Sequence, residues 1–340
     1  MKRCLQLAAL GAGHVAPNPM VGAVLVHEGT IIGEGYHQQY GQAHAEVNCI
    51  KSVHETDKNR IGQSTLYVSL EPCSHFGKTP PCAKLIIENE IPEVVIGCRD
   101  PNELVNGKGI ALLKEAGINV TEDVLKKECI ELNKRFFTFH TLHRPYIILK
   151  WAQSSDGKIG GANGERISIS SDLTNRQVHQ WRSEEASILI GTNTANNDDP
   201  VLNTRLWSGR DPVRLVIDRK LRLSSSLHLF DRTISTIVFN TMKEEINDNL
   251  LYVKIPDTAD FLQTMMTILY EKNIQSVLIE GGAKLLQSFI DSGWWDEARI
   301  ITNEKLIIGN GVAAPVLLNC LLMANQKIDS DTINFYQPIQ

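Results

Sequence analysis

Hydrophobic and polar positions along the chain follow two alternating periods, and the switches between them mark the elements. The apolar run "MVGAVLVHEG" turns at Glu28-Gly29 and returns as "TIIGEGYH", which predicts a β-hairpin. An opening amphipathic helix over Arg3 to Leu10 precedes it. After the hairpin the chain alternates between a helix from about Ala45 to His54, a strand "TLYVSLEP", a helix "AKLIIENE", a strand "EVVIGCRD", a helix "GIALLKEAG" and a short strand "INVTE". Such alternation predicts parallel strands with helices on both faces, and ligands that gather beyond the carboxyl ends of the strands. Chemistry is therefore expected in the residues after "YVSLEP" and "VVIGCRD". One polar helix, "LKKECIELNKRFFTFHTLH", leads to Arg144-Pro145, where a fresh apolar strand "YIILKWAQ" begins.

The second half repeats the logic. A helix "TNRQVHQWRSEEA" is followed by strands "SILIGT", "VRLVID" and "ISTIVFN", a helix "ADFLQTMMTILYEKN", a strand "SVLIEGG", a helix "AKLLQSFIDSG" and the segment "EARIITNEKLIIG". Both halves are α/β, with the domain boundary at 143 to 145, giving domains 1–144 and 145–340. With 340 residues, each half is long enough to bury its own core.

Composition narrows the function classes. A formal net charge of −5 disfavours a general polyanion binder, so no nucleic-acid partner is expected. No run approaches the ~18 to 20 apolar residues of a membrane span. The opening "MKRCLQLAALGAGH" begins like a signal peptide, but "APNPM" and a strand follow it, and we read it as part of a cytoplasmic protein. Seven scattered cysteines in a large chain point to reduced thiols, a few of them with chemistry.

That chemistry centres on "HAEVNC" (44–49), "EPC" (71–73) and "PPC" (80–82). His44, Cys73 and Cys82 offer one imidazole and two thiolates, the ligand count that leaves a fourth zinc position open for water. Glu46, two residues after His44, has the place of the proton-carrying glutamate in the H-x-E and P-C signature of zinc nucleobase deaminases. A closed structural zinc with His75 as fourth ligand, in a nucleic-acid-binding module, is the competing reading; it leaves Glu46 without a purpose. In the second half "GAGHVA"-type glycine fingerprints are absent, and the "GAGHVA" at 11–16 follows a helix and runs into Pro17, which excludes a dinucleotide turn. What remains is "LIEGGAKLLQ", where Gly281 and Gly282 lie between a strand and a helix whose amino end can hold phosphate.

"HAEVNCI", "LEPCSHFGKTPPC", "APNPMVGAVLV" and "RDPNELVNGKGI" together resemble the deaminase domain of the bifunctional riboflavin-biosynthesis deaminase-reductases. "LKWAQSSDGKIG", "WRSEEASILIGTNTANNDDPVLNTR", "VRLVID" and "LIEGGAKLL" resemble the reductase domain of the same family. The resemblance implies a cytidine-deaminase-like three-layer α/β/α domain followed by a dihydrofolate-reductase-like α/β domain. It also implies deamination of 2,5-diamino-6-ribosylamino-4(3H)-pyrimidinone 5′-phosphate and NADPH reduction of the ribosyl group to ribityl. The implied deaminase roles are zinc ligation by His44, Cys73 and Cys82, proton transfer by Glu46, and substrate contacts from Asn18, His75, Lys78, Asp100 and Asn102. In the reductase, Lys150, Arg166, Arg182, Leu202, Arg205 and Glu280 would meet substrate, with Arg182 and Arg205 as phosphate forks. Ala152, Ser168, Thr194, Asp198, Gly281 and Gly282 would line the NADPH site. Two departures stand out: "RISIS" at 166–170 lacks the aromatic residue of many relatives, and Asn196-Asn197 stands where Leu-Ala is common. Folds of this type associate, so a homo-oligomer is expected. A zinc deaminase with a non-catalytic nucleotide-binding second domain is the alternative.

Overall fold

The computed structural model describes residues 1–74, 80–162, 165–257 and 260–339. The chain forms two compact units, Met1–His143 and Arg144–Gln340.

The first unit contains helix α1 (Lys2–Ala9), strands β1 (Gly22–His27) and β2 (Thr30–Tyr36), helix α2 (Ala45–Lys51), β3 (Thr65–Val68), α3 (Cys82–Glu88), β4 (Glu93–Ile96), α4 (Lys108–Glu115), β5 (Asn119–Thr121), α5 (Lys126–Leu132) and α6 (Lys134–Leu142). Its sheet has the order β2-β1-β3-β4-β5. The predicted hairpin is antiparallel, with Gly22 opposite Tyr36, and β3, β4 and β5 run parallel. Strand alternation divides the core: Leu25 joins Cys49, Ala83, Ile86, Ile110 and Leu113 on one face, while Val24 meets Cys4 and Leu7 on the other. The α2, α3 and α4 helices thus cover one face and α1 the opposite one, a three-layer sandwich.

The predicted single helix over 125–143 is two. Asn133 has φ −107° and ψ 23°, outside helical values, and separates α5 from α6. Its side-chain amide accepts from the Met20 N–H (2.8 Å) and donates to the Met20 carbonyl (2.9 Å), the pairing a strand neighbour would make. Two hydrogen bonds to the Met20 backbone offset the lost helical turn.

The second unit is built on β6 (Tyr146–Ser154), β7 (Lys158–Gly161), α7 (Asp172–Glu184), β8 (Ser187–Gly191), α8 (Thr192–Asp198), β9 (Val213–Ile217), β10 (Thr236–Asn240), β11 (Glu245–Asn247), β12 (Leu250–Lys254), α9 (Phe261–Glu271), β13 (Ser276–Ile279), α10 (Ala283–Asp291), β14 (Glu297–Asn303), β15 (Gly311–Ala313), β16 (Cys320–Ile328) and β17 (Asp331–Pro338). The large sheet has the order β11-β12-β10-β9-β8-β13-β6-β14-β17-β16. From β12 to β14 every pairing is parallel, and both ends are finished by antiparallel strands. Ile147, Leu149, Val277 and Ile279 face α9 and α10 through Met265, Leu269, Leu286 and Phe289, whereas Ile148 and Leu278 face Val178 and Trp181 of α7.

Helix α8 is not expected from its sequence, Thr-Asn-Thr-Ala-Asn-Asn-Asp, which holds one strong helix former. It forms because Ala195 is buried with Ile190, Val216 and Leu229, so tertiary packing overrides propensity. The β16–β17 hairpin also escapes the periodicity reading, since β16 is exposed along both faces and carries no alternation.

Candidate active sites

In the first unit, a cavity of about 270 Å³ opens where the hairpin, the end of β3 and the end of β4 converge; Asn18, His44, Glu46, Glu71, Cys73, Asp100 and Asn102 line it. These include the two stretches marked by their position after "YVSLEP" and "VVIGCRD". His44 caps α2 with extended backbone, and Cys82 is the first residue of α3 behind Pro81. Their side chains meet Cys73 from the segment after β3. The His44 Nδ1 lies 3.6 Å from Cys73 Sγ and 3.3 Å from Cys82 Sγ. Zinc bonds of about 2.1 Å to nitrogen and 2.3 Å to sulfur at a tetrahedral angle give nitrogen-to-sulfur edges of about 3.6 Å, so the donor set fits the metal. The Cys82 N–H donates to Cys73 Sγ (3.3 Å), a thiolate contact at the amino end of α3.

Electrostatics match that use. The hydrogen bond from the Cys82 thiol, with the His44 imidazole adding to it, brings the Cys73 thiol down to about 4, and Cys82 is pushed up in return by its ionised neighbour. Glu46 is buried, and desolvation raises its pKa above the usual carboxylate range. Among the described residues, His44, Cys73 and Cys82 are the group that could hold a metal ion. His75 and Lys78 lie outside the described residues.

Sequence reasoning missed two residues here. His37 is 2 % exposed, shares a 3.1 Å hydrogen bond with Asn18 through Nε2 and sets its ring edge-to-face on His44. Glu71 accepts backbone hydrogen bonds from across the cavity. The "YH" at 36–37 and the first letter of "EPC" were available signals, but neither residue type at those positions demands a role.

Asp100 is 7 % exposed, and burial raises its carboxyl to about 7. The sign follows from linkage: the folded state keeps a proton that the unfolded chain releases above its ordinary value near 3.8, so this group costs stability progressively from about pH 4 to pH 7. Asp100→Asn keeps the Oδ1 that accepts from the Asn102 N–H. It is expected to raise the unfolding temperature of this unit at pH 8 relative to wild type, by at most about 4 kcal/mol equivalent, with little gain at pH 4; thermal unfolding at the two pH values checks this.

In the second unit, the carboxyl ends of β6, β8, β9 and β13 open onto a cleft of about 1080 Å³, more than the ~300 to 1,000 Å³ of ordinary ligand pockets. Of the predicted residues, Lys150, Ala152, Arg166, Ser168, Thr194, Asp198, Glu280, Gly281 and Gly282 line it. The Gly282 N–H donates to Thr194 Oγ1 (2.9 Å) and Gly282 caps α10, which brings the amino end of that helix to the cleft. The first residues of α10, Ala283 and Lys284, also line the cleft, and a helix amino end in that position fits a dinucleotide phosphate. Ile167 and Ile169 line the cleft in the stretch that lacks the expected aromatic. Arg219, Lys220 and Arg222, missed in the sequence, add positive charge at the end of β9.

Two predicted contacts differ from expectation. Arg182 does not present a free fork, because its Nε and Nη2 donate to the two oxygens of Glu280, both at 2.8 Å. Leu202 is 2 % exposed and buried with Ile188, Ile190 and Leu229, so its side chain faces the core. Lys150 also reaches Glu280, at 3.2 Å. Arg205 is exposed, with its pKa lowered by burial and by the neighbouring Arg182 and Arg166 guanidinium groups. Burial, with Arg182 and Arg205 adding to it, brings His179 down to about 4, leaving a neutral imidazole among cations.

The family model for the cytidine and deoxycytidylate deaminase zinc-binding region matches residues 1–98, and that for the RibD C-terminal domain matches 145–323. The chain is 39 % identical over 318 residues to the riboflavin biosynthesis protein RibD of Aquifex aeolicus, covering 92 % of this chain and 88 % of that protein. The chain belongs to the RibD family. The RibD of Actinobacillus pleuropneumoniae is 37 % identical over 326 residues, covering 93 % and 86 % of the two chains. A solved diaminohydroxyphosphoribosylaminopyrimidine deaminase/5-amino-6-(5-phosphoribosylamino)uracil reductase from Thermotoga maritima superposes with a TM-score of 0.90 at 38 % identity, over 99 % of this chain and 97 % of that one. RibD of Acinetobacter baumannii gives 0.91 at 32 % identity, over 100 % and 98 %. The chain is accordingly a bifunctional enzyme of riboflavin biosynthesis, with a cytidine-deaminase-like domain first and a RibD reductase domain second, and the match over 145–323 favours this over a second domain without catalysis. Among the described residues, no helix is long and apolar enough to cross a membrane.

Proposed function

We propose that the first unit, acting with zinc, removes the 2-amino group of 2,5-diamino-6-ribosylamino-4(3H)-pyrimidinone 5′-phosphate, and that the second reduces the ribosyl group of the product with NADPH. The observation that carries the reading is the convergence of His44, Cys73 and Cys82 at the edge of a cavity that His44, Cys73 and buried Glu46 line. His44, Cys73 and Cys82 would hold the zinc, which when bound would supply a Lewis acid that lowers the pKa of water. Glu46, buried beside His44 with its pKa raised by desolvation, would carry a proton from the attacking water to the departing amine, which would leave as ammonia. Asn18, held by His37, and Asp100 with Asn102 orient the pyrimidine and ribose from the opposite walls. His75 and Lys78 are assigned to the phosphorylated end by resemblance.

In the second unit NADPH supplies the hydride. Gly281, Gly282 and Thr194 hold its phosphates, Arg219, Lys220 and Arg222 add charge complementary to a phosphorylated ribose, and Ala152, Ser168 and Asp198 flank it. Lys150 and Glu280 meet the sugar. The substrate phosphate is drawn by the surplus of positive charge from Lys150, Arg166, Arg182 and Arg205 over Glu280, with exposed Arg205, which donates to Asn203 Oδ1 at 3.1 Å, outside the Glu280 ion group. The substrates are small molecules, and the protein works in the cytoplasm.

The test separates the half-reactions. Chelation of the metal is expected to stop ammonia release while NADPH oxidation by the deaminated intermediate continues; readdition of zinc restores the first. Loss of both activities together, or absence of NADPH oxidation by folded protein, overturns the assignment.

A further inference from the structure

Glu71 stands next to the zinc-ligand segment, yet its carboxylate points away from the metal ligands into the opposite wall. It is 4 % exposed. Its Oε2 accepts from the N–H groups of Asp100 (3.3 Å) and Gly107 (2.9 Å), and its Oε1 from those of Gly109 (3.0 Å) and Ile110 (3.2 Å). The Glu71 N–H in turn donates to the Cys98 carbonyl at 3.0 Å. A single buried carboxylate therefore satisfies both ends of the 100–110 segment, including the orphan donors at the start of α4.

The segment is shaped to need such an anchor. Gly107 has φ 81° and caps α4 without a side-chain acceptor. A Cβ on Gly109 would overlap the Pro72 carbonyl oxygen, so the backbone of α4 lies directly on the chain leading into Cys73. Between these points the Asp100 carboxylate accepts from the Asn102 N–H and the Asn102 side chain accepts from the Leu104 N–H. These local turns fold the loop on itself. Glu71 is what ties it to the cavity.

We propose that Glu71 is a positioning residue for deamination: it holds the Asp100–Asn102 loop against the Cys73 segment, so that the substrate-reading side chains and the metal ligands keep one spacing. The proposal rests on the reading of Asp100 and Asn102 as substrate contacts. The conversion is from rigid placement to binding: hydrogen bonds to an ionised acceptor are among the stronger ones in proteins, and a loosened loop lowers the population competent to bind.

Glu71→Gln in the full-length enzyme loses the charge and turns an amide donor toward backbone donors. Expected results are wild-type zinc content, wild-type reductase activity, exchange of the amides of Asp100, Gly107, Gly109 and Ile110 faster by on the order of ten-fold, and a deaminase KM raised on the order of ten-fold with kcat within about three-fold. Gly107→Ala strains the same loop at one of the amides that donate to Glu71, leaves the Glu71 carboxylate itself unchanged, and is expected to reproduce the KM effect, which carries the test if Glu71→Gln unfolds the first unit. Unchanged exchange, or zinc loss with an intact loop, overturns the proposal. Asn102→Ala measured in parallel distinguishes the two ways of failing. If Asn102→Ala raises KM and a loosened Glu71→Gln loop does not, the positioning role is wrong; if neither raises KM, the substrate reading beneath it is wrong.

Discussion

Glu46→Gln is expected to reduce ammonia release by at least about 100- to 10,000-fold while the protein keeps its zinc and its NADPH-dependent reduction. The expectation comes from three features that must hold together. Glu46 sits in the first turn of α2, two residues after His44, so the backbone that fixes the ligand fixes the acid. It lines the cavity with His44 and Cys73. Burial raises its pKa above the usual carboxylate range, the direction that suits a carboxyl which must both accept and return a proton. Gln preserves volume and removes the transferable proton. Metal analysis and separate assays of the two half-reactions check the result. Loss of zinc in the variant would mean that Glu46 supports the metal rather than the proton transfer.

Glu280→Gln is expected to damage the second unit in stability as well as activity. Glu280 accepts Arg182 through both oxygens and Lys150 through one, and all three side chains are nearly buried. Removing the one carboxylate leaves two buried cations without a counter-charge, at a cost of about 3 to 5 kcal/mol. The sign with pH is fixed by direction. Arg182 and Lys150 overcome desolvation and hold the Glu280 carboxyl well below its ordinary value near 4.5. The ion group therefore contributes its full stability above that value and loses it as pH falls toward the depressed one. Wild type and Glu280→Gln should thus converge in the unfolding of the second unit as the solution is acidified, and differ most at neutral pH. NADPH oxidation by the variant should be abolished, with deamination retained.

The zinc site was legible because its chemistry is carried by residue types with few alternatives: a histidine and two cysteines at strand-to-helix junctions, with a glutamate placed beside them. Alternation of strand and helix gave the parallel sheets for the same reason, since buried strands and amphipathic helices differ in period. What escaped depends on partners distant in sequence. Nothing local in Asn133 announces that its amide will pair with Met20, 113 positions away, and so break a helix. Arg182 reads as a phosphate fork until Glu280, 98 positions on, is found in its grip. Leu202 lies in a contact-bearing stretch, yet its side chain belongs to the core. Helix α8 and the β16–β17 hairpin lack the periodic signal that would declare them.

The Asn133–Met20 clasp also bears on how much chain the first activity requires. The recognisable zinc-binding region ends at residue 98 and contains every proposed metal ligand. The cavity does not end there: Asp100, Asn102, Val105 and Phe136 form part of its wall, and the clasp fastens the strand entry two residues after Asn18 to the start of α6. Closing a loop of that length carries an entropic cost that grows only slowly with its span, whereas the wall it completes is all or nothing. The proposed metal ligands and the wall of the substrate cavity are consequently supplied by different lengths of polypeptide.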